Sequence, residues 1–136
     1  MESLKLIGAS FITIVILDYV WLGLIMKKFY IENLGAIARI QEGKIQPVYW
    51  AAAVVYVLLA VGIVYFVLPK VGPGTSFLNV FLTGALMGLI IYGVYDMTNY
   101  STLKDFPVNL AFADMAWGAT VTGLATVAAS LVRDLT

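Results

Sequence analysis

The sequence predicts an all-α membrane protein, with four transmembrane helices in an up-down bundle and a short interfacial helix between the first and the second. Three observations carry this. Of 136 residues, 62% are apolar, more than a soluble domain of this size can hide, because small domains leave much of their surface in water. The apolar residues fall in four blocks, 4–26, 48–68, 77–97 and 108–131, and a membrane helix needs ~20 mostly apolar residues. Charge is scarce and balanced, with eight basic and eight acidic residues and neither Cys nor His. That composition excludes a disulfide scaffold, a zinc site and Cys or His catalysis. Without basic excess, nucleic acid is not an expected partner.

The first block is read as a retained span and not a cleaved signal peptide: it is long, carries Asp18, and is followed by no small-residue cleavage site. Segment 27–47 is the only long connection. Within it Ile31, Leu34, Ile37, Ala38 and Ile40 recur at roughly helical spacing among Glu32, Arg39, Gln41 and Glu42, the pattern of an amphipathic helix lying at the interface. Pro47 opens the second span, where a missing N–H costs little. The second connection, PKVGPGTS, is a tight Pro- and Gly-rich turn, and the third, NYSTLKDFP, is short and polar.

Four spans put both termini on one side, A, with Lys5, Lys70 and Arg133; side B holds Lys27, Lys28, Arg39, Lys44 and Lys104. The excess of cations on side B makes it the cytoplasmic side. The expected location is the inner (cytoplasmic) membrane, multi-pass, with both termini extracytoplasmic.

Three acids, Asp18, Asp96 and Asp114, lie inside apolar blocks. An acid in a membrane helix is expensive and faces the bundle interior or a wet cavity. At ~1.5 Å rise per residue all three fall within roughly 0–12 Å of the side B boundary, so they converge on one leaflet. Apart from Lys5 at the side A edge of the first block, no Lys or Arg lies inside a span, which predicts a hydrogen-bonded cluster with at least one neutral Asp, and Lys27, Lys28 and Lys104 at the rim as counter-charges.

Aromatics share the bias. Trp21, Trp50 and Trp117 and most tyrosines lie in the side B half, with only Tyr56 and Tyr65 at the middle or toward side A. An interfacial aromatic belt accounts for Trp50, Tyr30 and Tyr49; Trp21 and Trp117 are assigned to the site. Asp18-Tyr-Val-Trp21 and Asp114-Met-Ala-Trp117 echo one another, and residues three apart share a helix face, so each indole N–H is expected near the carboxyl of its own helix. Tyr92, Asp96 and Asn99 also share one face. Gly84 and Gly88 continue that stripe, and Gly118, Thr122, Ala125 and Ala129 line the fourth span, the small-residue spacing that lets membrane helices approach closely.

The segments LDYVWLGLIMKKFY, YGVYDMTNYSTLKDFP and ADMAWG, in that order and over almost the whole chain, resemble the DUF2177 family of uncharacterised bacterial integral membrane proteins. The resembling positions are Asp18, Trp21, Tyr95, Asp96, Thr98, Asn99, Thr102, Leu103, Asp114, Trp117 and Gly118; the second span, opening Trp50-Ala-Ala-Ala53, departs most. The resemblance implies a four-helix membrane protein and no activity.

The leading functional expectation is binding or carriage of a lipid or amphipathic small molecule in an acidic, aromatic pocket open to the side B leaflet, formed by Asp18, Trp21, Tyr92, Tyr95, Asp96, Asn99, Asp114 and Trp117. Tyr and Trp suit a boundary where one end of a group is apolar and the other wet, and a cationic head can rest on aromatic faces. Three alternatives stand beside it. One is a structural or partner-binding clamp. Another is a proton-coupled transporter subunit, since four short helices with a membrane acid resemble the dimeric small multidrug exporters. The third is an intramembrane lipid-modifying enzyme with Asp96 and Asp114 as acid and base. Expected partners are membrane lipids, a small amphipathic ligand and a second copy of the chain; no cofactor or resident metal is expected.

Overall fold

The computed structural model of the chain describes residues 1–136. Four helices are long and apolar enough to cross a membrane, Glu2–Ile25, Tyr49–Lys70, Phe77–Thr102 and Val108–Leu135, and they form the all-α bundle that the sequence predicts. Helix α1 (Glu2–Val20) ends in a π-helical turn, Trp21–Ile25, and is followed by the short α2 (Lys27–Leu34). A two-stranded hairpin, β1 (Ile40–Gln41) and β2 (Lys44–Ile45), leads to α3 (Tyr49–Gly62), which continues through a π turn at Ile63–Val67 and a 3-10 turn at Leu68–Lys70. Helices α4 (Phe77–Thr102) and α5 (Val108–Leu135) complete the chain.

Inside and outside are told apart by position and not by polarity. The buried residues of α1 are Leu6, Ser10, Ile14 and Asp18, and those of α4 are Val80, Gly84, Gly88 and Asp96. Steps of four and eight keep each set on one helical face. The outward faces carry Ile12, Ile16, Leu58, Phe66, Leu82, Leu86 and Ile90, which suit lipid as well as a core. Helix α5 is the central element: 56% of its apolar window is buried, against 17% for α4. It packs along α4 on one side and α1 on the other, and α1 in turn packs on α3.

The α4–α5 contact depends on absent side chains. A Cβ on Gly88 would strike the carbonyl oxygen of Gly118 and the Thr122 side chain, and one on Gly118 would strike the Tyr92 ring. The two backbones therefore approach to a separation that only glycine permits. At the side A end Arg133 donates from Nη1 to the carbonyls of Val71 (2.6 Å) and Leu68 (3.4 Å), so its charge sits on the carbonyls that end the second span.

The connections depart most from expectation. The amphipathic segment is helical only through Leu34. Ile37 and Ala38 follow the helix, and Ile40 enters the hairpin. The break has a local cause. The hairpin turns at Glu42 (φ 51°) and Gly43 (φ 72°), two successive positive-φ positions of the kind a two-residue turn requires, and this pulls Ile40 into register with Ile45. The polar third connection hides Phe106, 7% exposed, which packs with Tyr30, Leu110 and Ala111. Helix α4 also runs on to Thr102, past the apolar block, with Ser101 and Thr102 hydroxyls donating to the Thr98 carbonyl.

Gly88→Ala is expected to lower stability by about 1–3 kcal/mol, the usual range for overpacking, in thermal unfolding in detergent. Gly8→Ala, where an added Cβ meets nothing within 4 Å, is expected to leave the melting temperature unchanged.

Candidate ligand-binding site

The three membrane aspartates converge at the side B end of the bundle, through partners that differ from those expected. Asp18, 7% exposed, accepts at Oδ1 from the Trp117 indole (2.7 Å) and at Oδ2 from the Tyr56 hydroxyl (2.7 Å). Trp21 donates its indole N–H to the Tyr30 hydroxyl (3.2 Å), which donates in turn to Asp114 Oδ1 (2.8 Å). The two Asp-x-x-Trp echoes are thus crossed: each indole serves the other helix's acid, Trp117 directly and Trp21 through Tyr30. The rings of Trp21 and Trp117 stack with centroids 4.5 Å apart and planes 4° from parallel, and a shared face on one helix could not produce that arrangement.

Asp96 and Asp114 line one cavity of about 390 Å³, with Tyr30, Tyr95 and Asn99 and with apolar residues that include Leu34, Leu103, Phe106 and Leu110. One oxygen of Asp96, Oδ2, is buried and has no hydrogen-bond partner.

Four of the eight expected site residues therefore line this cavity: Tyr95, Asp96, Asn99 and Asp114. Tyr95 sits at its rim, 60% exposed. Asp18, Trp21 and Trp117 do not line the cavity; Trp21 is linked to it by its hydrogen bond to Tyr30. Tyr92 does not line the cavity; its ring fills the notch left by Gly118. The three acids do not form a single metal-binding set, since Asp18 commits both oxygens to α3 and α5.

A family model described as a predicted membrane protein, DUF2177, matches residues 3–131. The chain belongs to the DUF2177 family. No curated protein and no solved structure matches it. Membership agrees with the four apolar helices and leaves the use of the site to be read from its geometry.

Two residues of this DUF2177 protein were not placed in the site from the sequence. Tyr30, expected in the interfacial belt, is 5% exposed. The π turn explains it. Met26 N–H reaches back five residues to the Trp21 carbonyl (2.7 Å), which ends α1 and lets α2 fold Tyr30 inward. Tyr56 was placed toward the middle, and its long side chain reaches Asp18. Trp50 and Tyr49 do face outward, at 74% and 72% exposed.

Burial, and after it the Asp114 carboxyl, push the Tyr30 hydroxyl above its ordinary pKa of 10, so it remains a donor through neutral and moderately alkaline pH. A raised value means that its contribution is present below pH 10 and is lost only as pH climbs through the higher folded value. Tyr30→Phe is expected to cost about 1 kcal/mol in detergent unfolding, the scale of an interhelical hydrogen bond. In a tyrosinate absorbance titration carried to about pH 10, the folded wild type and Tyr30→Phe are expected to give equal amplitude; a smaller amplitude in the variant would mean that Tyr30 ionises normally.

Proposed function

We propose that the protein binds or carries an amphipathic molecule, a membrane lipid or a small amphiphile, in the acidic cavity. The single observation behind this reading is Asp96, which has a buried acceptor without a partner, Oδ2, and lines a cavity of ligand size. A buried acceptor left unsatisfied is costly, so the reading supplies its donor: a cationic or N–H-bearing head set between Asp96 and Asp114. Tyr30, Asn99 and Tyr95 surround that head, and the apolar part of the ligand lies along Leu34, Leu103, Phe106 and Leu110. Asp18 plays a structural part, because both its oxygens are taken by donors from neighbouring helices.

The proposed location is the inner membrane, with side B cytoplasmic and both termini outside. Five basic residues on side B against three on side A support it. In reporter fusions a periplasm-active enzyme at the C-terminus is expected to be active and a cytoplasm-only fluorophore dark; the reverse pattern would invert the assignment.

Asp96→Asn keeps the shape and removes the charge. The wild-type protein, extracted in mild detergent, is expected to carry an amphiphile with a basic head, detected by mass spectrometry. The variant is expected to retain about tenfold less or lower, the scale of one charge-assisted hydrogen bond, while melting within a few degrees of wild type. Equal ligand content in the two proteins would overturn the reading.

A further inference from the structure

A second cavity is lined by α1, the hairpin and α3, and none of its lining residues belongs to the first. It runs between α1 and α3 beneath the hairpin and encloses about 660 Å³. Its mouth is basic: Lys27 and Lys44 line it together with Gln46. Neither lysine takes part in an ion pair, whereas their neighbour Lys28 is paired with Glu32 at 3.8 Å. Its inner part carries the apolar Val15, Leu22 and Ala52 beside Asp18 and Tyr56, which are hydrogen-bonded to each other.

The one acid on its wall, Asp18, presents no free oxygen, since Trp117 and Tyr56 already donate to both. Asp18 lies nine residues before Lys27 in the chain, about 13 Å along the helix axis, and neither lysine is ion-paired. From Lys27 to Val15 the first span covers twelve residues, about 18 Å along its axis. The cavity is thus charged at the membrane surface and apolar toward the bilayer centre, the polarity of a phospholipid lying in its own leaflet.

We propose that this cavity holds an anionic phospholipid, with its phosphate between Lys27 and Lys44 and one acyl chain laid along α1 toward Val15. Lysine is a donor-only cation suited to phosphate, and unpaired cations at the end of an apolar channel complement an anionic head with a tail attached. Unlike the acidic cavity, which calls for a donor head, this site calls for an acceptor head.

The test is native mass spectrometry of the full chain in detergent, titrated separately with dioleoylphosphatidylglycerol and dioleoylphosphatidylcholine. Wild type is expected to favour the anionic lipid by about thirtyfold, from two lysines each contributing on the scale known for basic residues at anionic surfaces. Lys27→Gln with Lys44→Gln is expected to abolish the preference. Lys28→Gln with Lys104→Gln, which removes the same charge from the same membrane side, is expected to keep it. Ala52→Phe, which fills the apolar channel and leaves the charge in place, is expected to weaken binding of both lipids, provided its melting temperature matches wild type.

No preference in wild type, or equal losses in the two lysine pairs, would overturn the proposal in favour of general attraction to the surface. Undiminished binding by a folded Ala52→Phe would overturn the placement of the tail. Asp96→Asn is expected to leave the anionic-lipid preference intact, so this site and the acidic cavity stand or fall separately.

Discussion

The carboxyl of Asp18 imposes the constraint on which the bundle depends. Asp18 is 7% exposed within an apolar span, where an unpaired carboxylate is expensive. Its two oxygens must be met by the protein, and they are met by one donor from α5 and one from α3. A single residue on α1 thereby draws two other helices to a fixed distance and rotation. Apolar packing could not do this alone, because lipid tails are as good a neighbour for Leu or Ile as another helix is. The glycine notches of α4 and α5 supply the complementary constraint, bringing α4 in beside α5 by shape where the aspartate acts by hydrogen bonding.

Depth was legible in the sequence; direction was not. A helix rises by a fixed amount per residue, so Asp18, Asp96 and Asp114 could be placed in one leaflet from their positions alone. Spacing also says which residues share a face of one helix. It does not say how that face is rotated toward its neighbours, and for that reason Trp21 and Trp117 could be assigned to the right region with the wrong acids. Tyr92 shows the same limit. It shares a stripe with Asp96, yet one turn separates packing against Gly118 from lining a cavity.

The connections were the least legible, for physical reasons. Tyr30 reads as an interfacial tyrosine until the π turn at Trp21–Ile25 redirects the chain, and a π turn leaves no signature in hydropathy. The hairpin at Glu42–Gly43 was hidden by an apolar spacing that fits a helix equally well. Phe106 was masked by the polar residues around it. The membrane limits the spans tightly, whereas loops at its surface can satisfy their backbone groups in several ways. What the loops contribute here is the lid of both cavities: α2 over one and the hairpin over the other.

The crossed pairing also bears on how the protein is made. Asp18 and the indole that serves it are 99 residues apart in the chain, and Tyr30 and Asp114 are 84 apart. At a synthesis rate of roughly 5–20 residues per second, the first span waits on the order of 5–20 s before Trp117 exists. During that interval Asp18 must be sheltered by the Tyr56 hydroxyl, by the insertion machinery or by a proton of its own. The last helix to be made is thus the one that closes the first, and a chain halted after its third span would sit in the bilayer with an acid it cannot fully satisfy.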